Sequence, residues 1–88
     1  MGQVAVLFRL MPAGVETDLK AVAEGVRTSL PAGVQIRGMQ VKDIAYGLKA
    51  LLVSVVMTDQ GGILDATESA LQKVPHVASV EVMEEGLL

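Results

Sequence analysis

Residues 34–58 read VQIRGMQVKDIAYGLKALLVSVVMT, and the way this stretch divides decides the fold. Two apolar, β-rich runs, Val34–Ala45 and Leu48–Thr58, are separated only by Tyr46-Gly47. In the first run Val34 and Ile36 alternate with Gln35 and Arg37, and the phase then shifts at Gly38 to Met39 and Val41. One extra residue at a glycine predicts a β-bulge. Arg37, Gln40, Lys42 and Asp43 suit an edge strand, where charge discourages unwanted pairing. The second run is apolar on both faces, as a central strand is. Leu51, Val53, Val55 and Met57 are expected to face helices, and Ser54 the opposite side.

Upstream, Val4–Met11 (VAVLFRLM) reads as another central strand, closed by Pro12. Val4, Val6, Phe8 and Leu10 form one face, and Arg9 marks the other, with Ala5, Leu7 and Met11, as the more open. After a loop at Ala13–Thr17, Asp18 is the expected helix N-cap, with Thr17 the alternative. Leu19, Val22, Ala23, Val26 and Leu30 then follow helical spacing. Gly25 weakens that helix by about 1 kcal/mol relative to Ala and is expected to permit close approach to the sheet. Pro31 and Gly33 end it.

Downstream, Asp59–Gly62 is a turn, and Leu64, Thr67, Leu71 and Val74 mark a second amphipathic helix that Pro75 stops. Val77–Met83 is the last strand, with Val80 and Val82 inward and Ser79 and Glu81 outward. The order is therefore β-α-β-β-α-β, the split βαβ pattern. Right-handed crossovers then give an α+β, ferredoxin-like sandwich: a four-stranded antiparallel sheet with two helices on one face. Nothing covers the other face, which carries Ala5, Leu7, Leu52 and Val56. Such apolar surface points to a partner or to self-association through the open face.

The 88 residues make one domain, 1–88. With 51% hydrophobic and 19% charged residues the chain is not disordered. A net charge of −3 disfavours sequence-independent binding to nucleic acid or to an anionic membrane. No apolar run approaches the roughly 20 residues of a membrane span, and the first residues lack the basic start of a signal peptide. A cytoplasmic protein is expected. Cys is absent and His76 is the single histidine, which excludes disulfides, thiol nucleophiles, thiolate metal sites and multi-histidine sites.

Catalytic readings find no constellation. His76 beside Pro75 reads as a turn or edge histidine. Ser29, Ser54, Ser69 and Ser79 lack a G-x-S-x-G setting and a base. Glu84 and Glu85 are adjacent, so an extended backbone points them to opposite faces, and they read as a solvated tail. Gly61-Gly62 precede a helix without any phosphate-binding motif. An RNA-recognition sheet needs aromatic platforms, and only Phe8 and Tyr46 are aromatic. No cofactor and no metal are expected, which leaves protein recognition or small-ligand regulation.

The most unusual local sequence is Asp43–Leu51, DIAYGLKAL. Gly47 tolerates positive φ, which would let Tyr46 project from the sheet end as an amphipathic knob. The equal alternative is a tyrosine packed over that end. Here the chain resembles the archaeal form of the translation elongation factor 1-beta family, guanine nucleotide exchange factors for elongation factor 1-alpha. Three stretches carry the resemblance: Arg9–Pro12 with Glu16–Leu19; Ile44–Leu51, a small-aromatic-glycine-aliphatic-lysine run; and Asp59–Gly62 with Ala70-Leu71 and Val77–Val82. Together they span essentially the whole chain. The resemblance implies a ferredoxin-like exchange domain that binds elongation factor 1-alpha and promotes replacement of its GDP by GTP without covalent chemistry. Starting at Met1, the chain reads as that domain alone. The expected partner-binding residues are Tyr46 as anchor, Gly47 setting its approach, Lys49 as a polar contact, and Leu87 and Leu88 packing near the partner's magnesium site.

Two departures from the family stand out. The second helix begins at Ile63, where relatives often have a capping Thr, so a weaker cap is expected. Eukaryotic members are thought to insert a C-terminal lysine toward the partner's magnesium; Leu87 takes that place here, no basic residue follows Lys73, and the lysine mechanism does not carry over. A reading from another class is a small dimeric ligand-binding regulatory domain, joined through Leu7, Leu52 and Val56 of the open face.

Overall fold

A computed structural model of the chain describes residues 2–88. Its elements are β1 (Gln3–Pro12), α1 (Leu19–Ser29), β2 (Val34–Ala45), β3 (Leu48–Thr58), α2 (Ile63–Gln72) and β4 (Val77–Leu87). This is the expected β-α-β-β-α-β order. The strands form a four-stranded antiparallel sheet in the order β2-β3-β1-β4. The two runs that are apolar on both faces, β1 and β3, occupy its centre, and the charged β2 lies at an edge.

The core sits between the sheet and the helices. Val6, Phe8 and Leu10 of β1, and Leu51, Val53, Val55 and Met57 of β3, are buried against Val22 and Val26 of α1, Leu71 of α2 and Val74 just after α2. Residues i and i+2 of a strand share a face, so this single face carries the predicted inward set. Burying one such side chain contributes roughly 1.5–3 kcal/mol. Among the described residues no helix is long and apolar enough to cross a membrane.

The helix ends follow their cap chemistry. Asp18 accepts a hydrogen bond from the Lys20 amide at 3.0 Å, satisfying one of the free donors of the first turn of α1. At α2 the cap is Gly62, at φ 84° and with no side-chain acceptor, so that end is indeed weakly capped. Thr67, buried in α2, satisfies its hydroxyl internally by donating to the Ile63 carbonyl at 2.8 Å.

Two expectations need correction. Gly25 does permit a close approach, but to Val74 after α2 and not to the sheet: a Cβ there would lie 2.7 Å from Val74 Cγ1. The last strand does not stop at Met83. β4 continues to Leu87, pairing Glu84 with Leu7, Glu85 with Val6 and Leu87 with Val4. Glu84 and Glu85 point to opposite faces as expected, yet they belong to a strand and not to a tail. β1 supplies enough partner backbone to hold them, and the strand's hydrogen-bonding need overrides the polarity of the side chains.

Register shifts mark the edge strands, where bulges concentrate. β2 has one between Ile36 and Gly38, as Gly38 foretold, and a second between Asp43 and Ala45. β4 has one opposite Leu7/Phe8 and one opposite Met11/Pro12. Counting side-chain alternation through each shift places the extra residues Arg37 and Ile44 of β2 and Met83 of β4 on the open face. On the same face, Arg9 donates to both carboxylate oxygens of Glu81 at 2.8 Å.

Candidate functional site

The β2–β3 connection is the narrowest in the molecule. Ala45 pairs with Leu48, so Tyr46 and Gly47 alone turn the chain, at φ 50° and φ 80°. Positive φ at both central residues is the requirement of a type I′ hairpin, which matches the right-handed twist of the strands. Gly47 meets it freely, and Tyr46 does so at a cost of about 1–2 kcal/mol. The tyrosine packs against nothing: its side chain is fully exposed, at 103%. That settles its placement in favour of the projecting knob and excludes packing over the sheet end.

Around the turn lie exposed apolar side chains that the sequence alone did not single out. Val41 and Ile44 of β2 and Val15 of the β1–α1 loop are all solvent-exposed. Val41 has the inward phase of its strand, opposite Leu51, but it faces an open groove beside the start of α1 and stays exposed. Ile44 is the extra residue of the second bulge, a shift with no glycine to announce it. The periodicity that marks a core residue is thus the same as that of a residue facing an open groove, and only the packing of the helix on the sheet tells them apart.

Between the hairpin and the start of α1 runs an open groove of about 350 Å³. Pro12, Val15, Val41 and Gly47 line it together with Lys20 and Lys49. Lys49 lies 4.0 Å from Asp43 on the neighbouring strand, and both side chains are more than half exposed. A pair so placed contributes at most about 1 kcal/mol and leaves the lysine available to another acceptor. His76, at φ 70°, occupies a turn at the same end, where its carbonyl accepts from the Ala13 amide at 2.9 Å.

The five expected contact residues do not converge. Tyr46, Gly47 and Lys49 share the hairpin end. Leu87 pairs with Val4, which pairs with Met57, and the Leu88 amide donates to the Gln3 carbonyl at 2.9 Å. Leu87 and Leu88 therefore sit at the opposite end of the sheet, 75% and 67% exposed. Nine residue steps along β3 lead from Leu48 to Met57, about 30 Å at the usual rise. Among the described residues no group of three or more His, Asp or Glu is placed to hold a metal ion.

The model of the EF-1 guanine nucleotide exchange domain matches residues 5–87. The chain belongs to that family. It is a translation elongation factor acting as a guanine nucleotide exchange factor. The elongation factor 1-beta of Methanosarcina mazei is 41% identical over 85 residues, covering 96% of each chain. That of Halorubrum lacusprofundi is 41% identical over 88 residues, covering all of both. The C-terminal domain of the MgtC protein from Mycobacterium tuberculosis superposes with a TM-score of 0.54 over the whole of this chain and 88% of that one. Its 17% identity makes this a likeness of fold alone. Membership of the exchange family decides against the regulatory-domain reading, and the role of such a family is a non-catalytic one.

Proposed function

We propose that this exchange domain acts on elongation factor 1-alpha in the cytoplasm, promoting release of GDP and so regenerating the GTP form that binds aminoacyl-tRNA. The observation that carries the reading is Tyr46: a fully exposed aromatic, held in a left-handed turn at the tip of a hairpin whose β2 strand also exposes Val41 and Ile44. Aromatic anchors of this kind dominate protein interfaces. A backbone conformation that an L residue avoids persists where function requires it. Gly47 fixes the angle at which the ring leaves the sheet, and Lys49 supplies a polar contact beside it. Leu87 and Leu88 form a second contact near the partner's magnesium site.

The mechanism makes and breaks no covalent bond. The factor binds best to a GTPase whose nucleotide is loosened, and linkage makes the effect mutual: nucleotide weakens factor binding by the same factor as the reverse. A thousandfold acceleration of GDP release needs about 4 kcal/mol of preference for the loosened state. The last strand, β4, is acidic (Glu81, Glu84, Glu85) and has no basic side chain, so it offers nothing to replace magnesium's charge. The work falls to apolar wedging and to Lys49. Release of a fluorescent GDP analogue from purified elongation factor 1-alpha tests the reading. The chain is expected to accelerate release, and Tyr46→Ala to reduce the acceleration roughly tenfold or more. An unchanged rate with Tyr46→Ala would remove the anchor.

A further inference from the structure

The open face of the sheet has a charge pattern that its central apolar strip does not explain. On the β2 edge its charged side chains are Arg37 and Lys42; on the β4 edge they are Glu81 and Glu84. Glu81 is held by Arg9, whereas Glu84 has no ion-pair partner among the described residues. One bulge of each edge strand lies on the same rung: Gly38 pairs with Ser54, Ser54 with Leu7, and Leu7 with Glu84. Arg37 and Glu84 therefore flank the face at the same height, one at each side.

We propose that this face binds a second copy of the chain, about a two-fold axis that runs along the strands between β1 and β3. That rotation lays β2 of one copy over β4 of the other and β3 over β1. Arg37 then meets Glu84 of the second copy, and the symmetry repeats the pair. Lys42 falls within one step of the second copy's Glu81. A two-fold axis across the strands would lay basic β2 on basic β2 and acidic β4 on acidic β4, so charge selects the first arrangement. Shape agrees with it. Leu7 pairs with Ser54, and Val56 with Ala5. Laying β3 over β1 places Leu7 over Ser54 and Val56 over Ala5, large over small, at the ~10 Å spacing of aligned sheets.

The molecule measures 42 × 20 × 17 Å, so the face offers at most about 800 Å² per copy, the usual share of a standard interface. With polar edges and a small apolar centre, association belongs to the weak, transient class. The hairpin tip and the C-terminal leucines stay clear of it.

Light scattering or sedimentation between about 10 µM and 1 mM, a range suited to weak complexes, tests the proposal. The mass is expected to rise from 9.2 kDa toward twice that value, and high salt to reverse the rise. Arg37→Glu and Glu84→Lys are both exposed substitutions whose folding circular dichroism verifies. Each alone is expected to stay monomeric, because each places like charges together twice. An equimolar mixture of the two is expected to regain the dimer, since each copy then meets its complement. A wild-type chain that stays at 9.2 kDa throughout, its face left to a different occupant, would overturn the proposal. So would a mixture that stays monomeric while the wild type dimerises, or single variants that dimerise as well as the wild type.

Discussion

Tyr46 combines two properties that oppose each other. A first hairpin position at φ 50° favours Asn or Gly, and a bulky aromatic there is strained. Tyr46→Asn is therefore expected to raise the unfolding free energy by about 0.5–1 kcal/mol, while slowing exchange on the partner as Tyr46→Ala does. Urea denaturation and nucleotide release measure the two effects on the same sample. A variant that exchanges normally would show that the ring is dispensable. His76 provides the control, because it also has positive φ, at 70°. Its side chain is exposed at a turn, and in the proposed mechanism it has no contact. His76→Asn is expected to give a similar gain in stability with exchange unaltered. Parallel losses of exchange in both variants would mean that loop rigidity, and not the tyrosine ring, governs activity.

At the scale of the element, helix α1 is limited by what it packs on. Gly25→Ala in an exposed helix would gain about 1 kcal/mol from propensity. Here the new methyl would lie 2.7 Å from Val74 Cγ1, and Val, branched at Cβ, has little rotamer freedom with which to yield. Overpacking of this kind costs roughly 1–3 kcal/mol, so a net loss is expected. Val74→Ala in the same chain should return most of it, and a double-mutant cycle by urea denaturation measures the coupling. Additive effects would place the close approach elsewhere. The glycine's purpose was legible in the sequence, but its neighbour was not, because spacing identifies a helix face without saying which element it meets. The same limit explains β4. Val80 and Val82 declare a strand, but its last four residues are held by β1 across the sheet, and no local preference of Glu-Glu-Gly-Leu announces that. Gly38 revealed its bulge because glycine is chosen there. Ile44 and Met83, the extra residues of two others, look like ordinary members of their runs.

At the scale of the whole molecule, the separation of the expected contacts becomes the decisive quantity. Tyr46 and the Leu87-Leu88 pair lie at opposite ends of a sheet, about 30 Å apart, in a molecule whose long dimension is 42 Å. A single pocket on the GTPase does not hold both, so an interface that includes both ends runs along most of the chain. Groups that far apart share no neighbours, and their contributions to binding are expected to add. If Tyr46→Ala costs one factor in the rate of nucleotide release and Leu87→Ala with Leu88→Ala costs another, the triple variant should show their product, to within about twofold. The C-terminal pair is mostly exposed and ends the sheet, so its loss should barely shift the urea midpoint, and slowed release then reports on contact and not on folding. Normal release by the C-terminal variant would confine the interface to the hairpin end. A triple variant no worse than the poorer of the two would show that the ends act through one rate-limiting event on the partner, despite the distance between them.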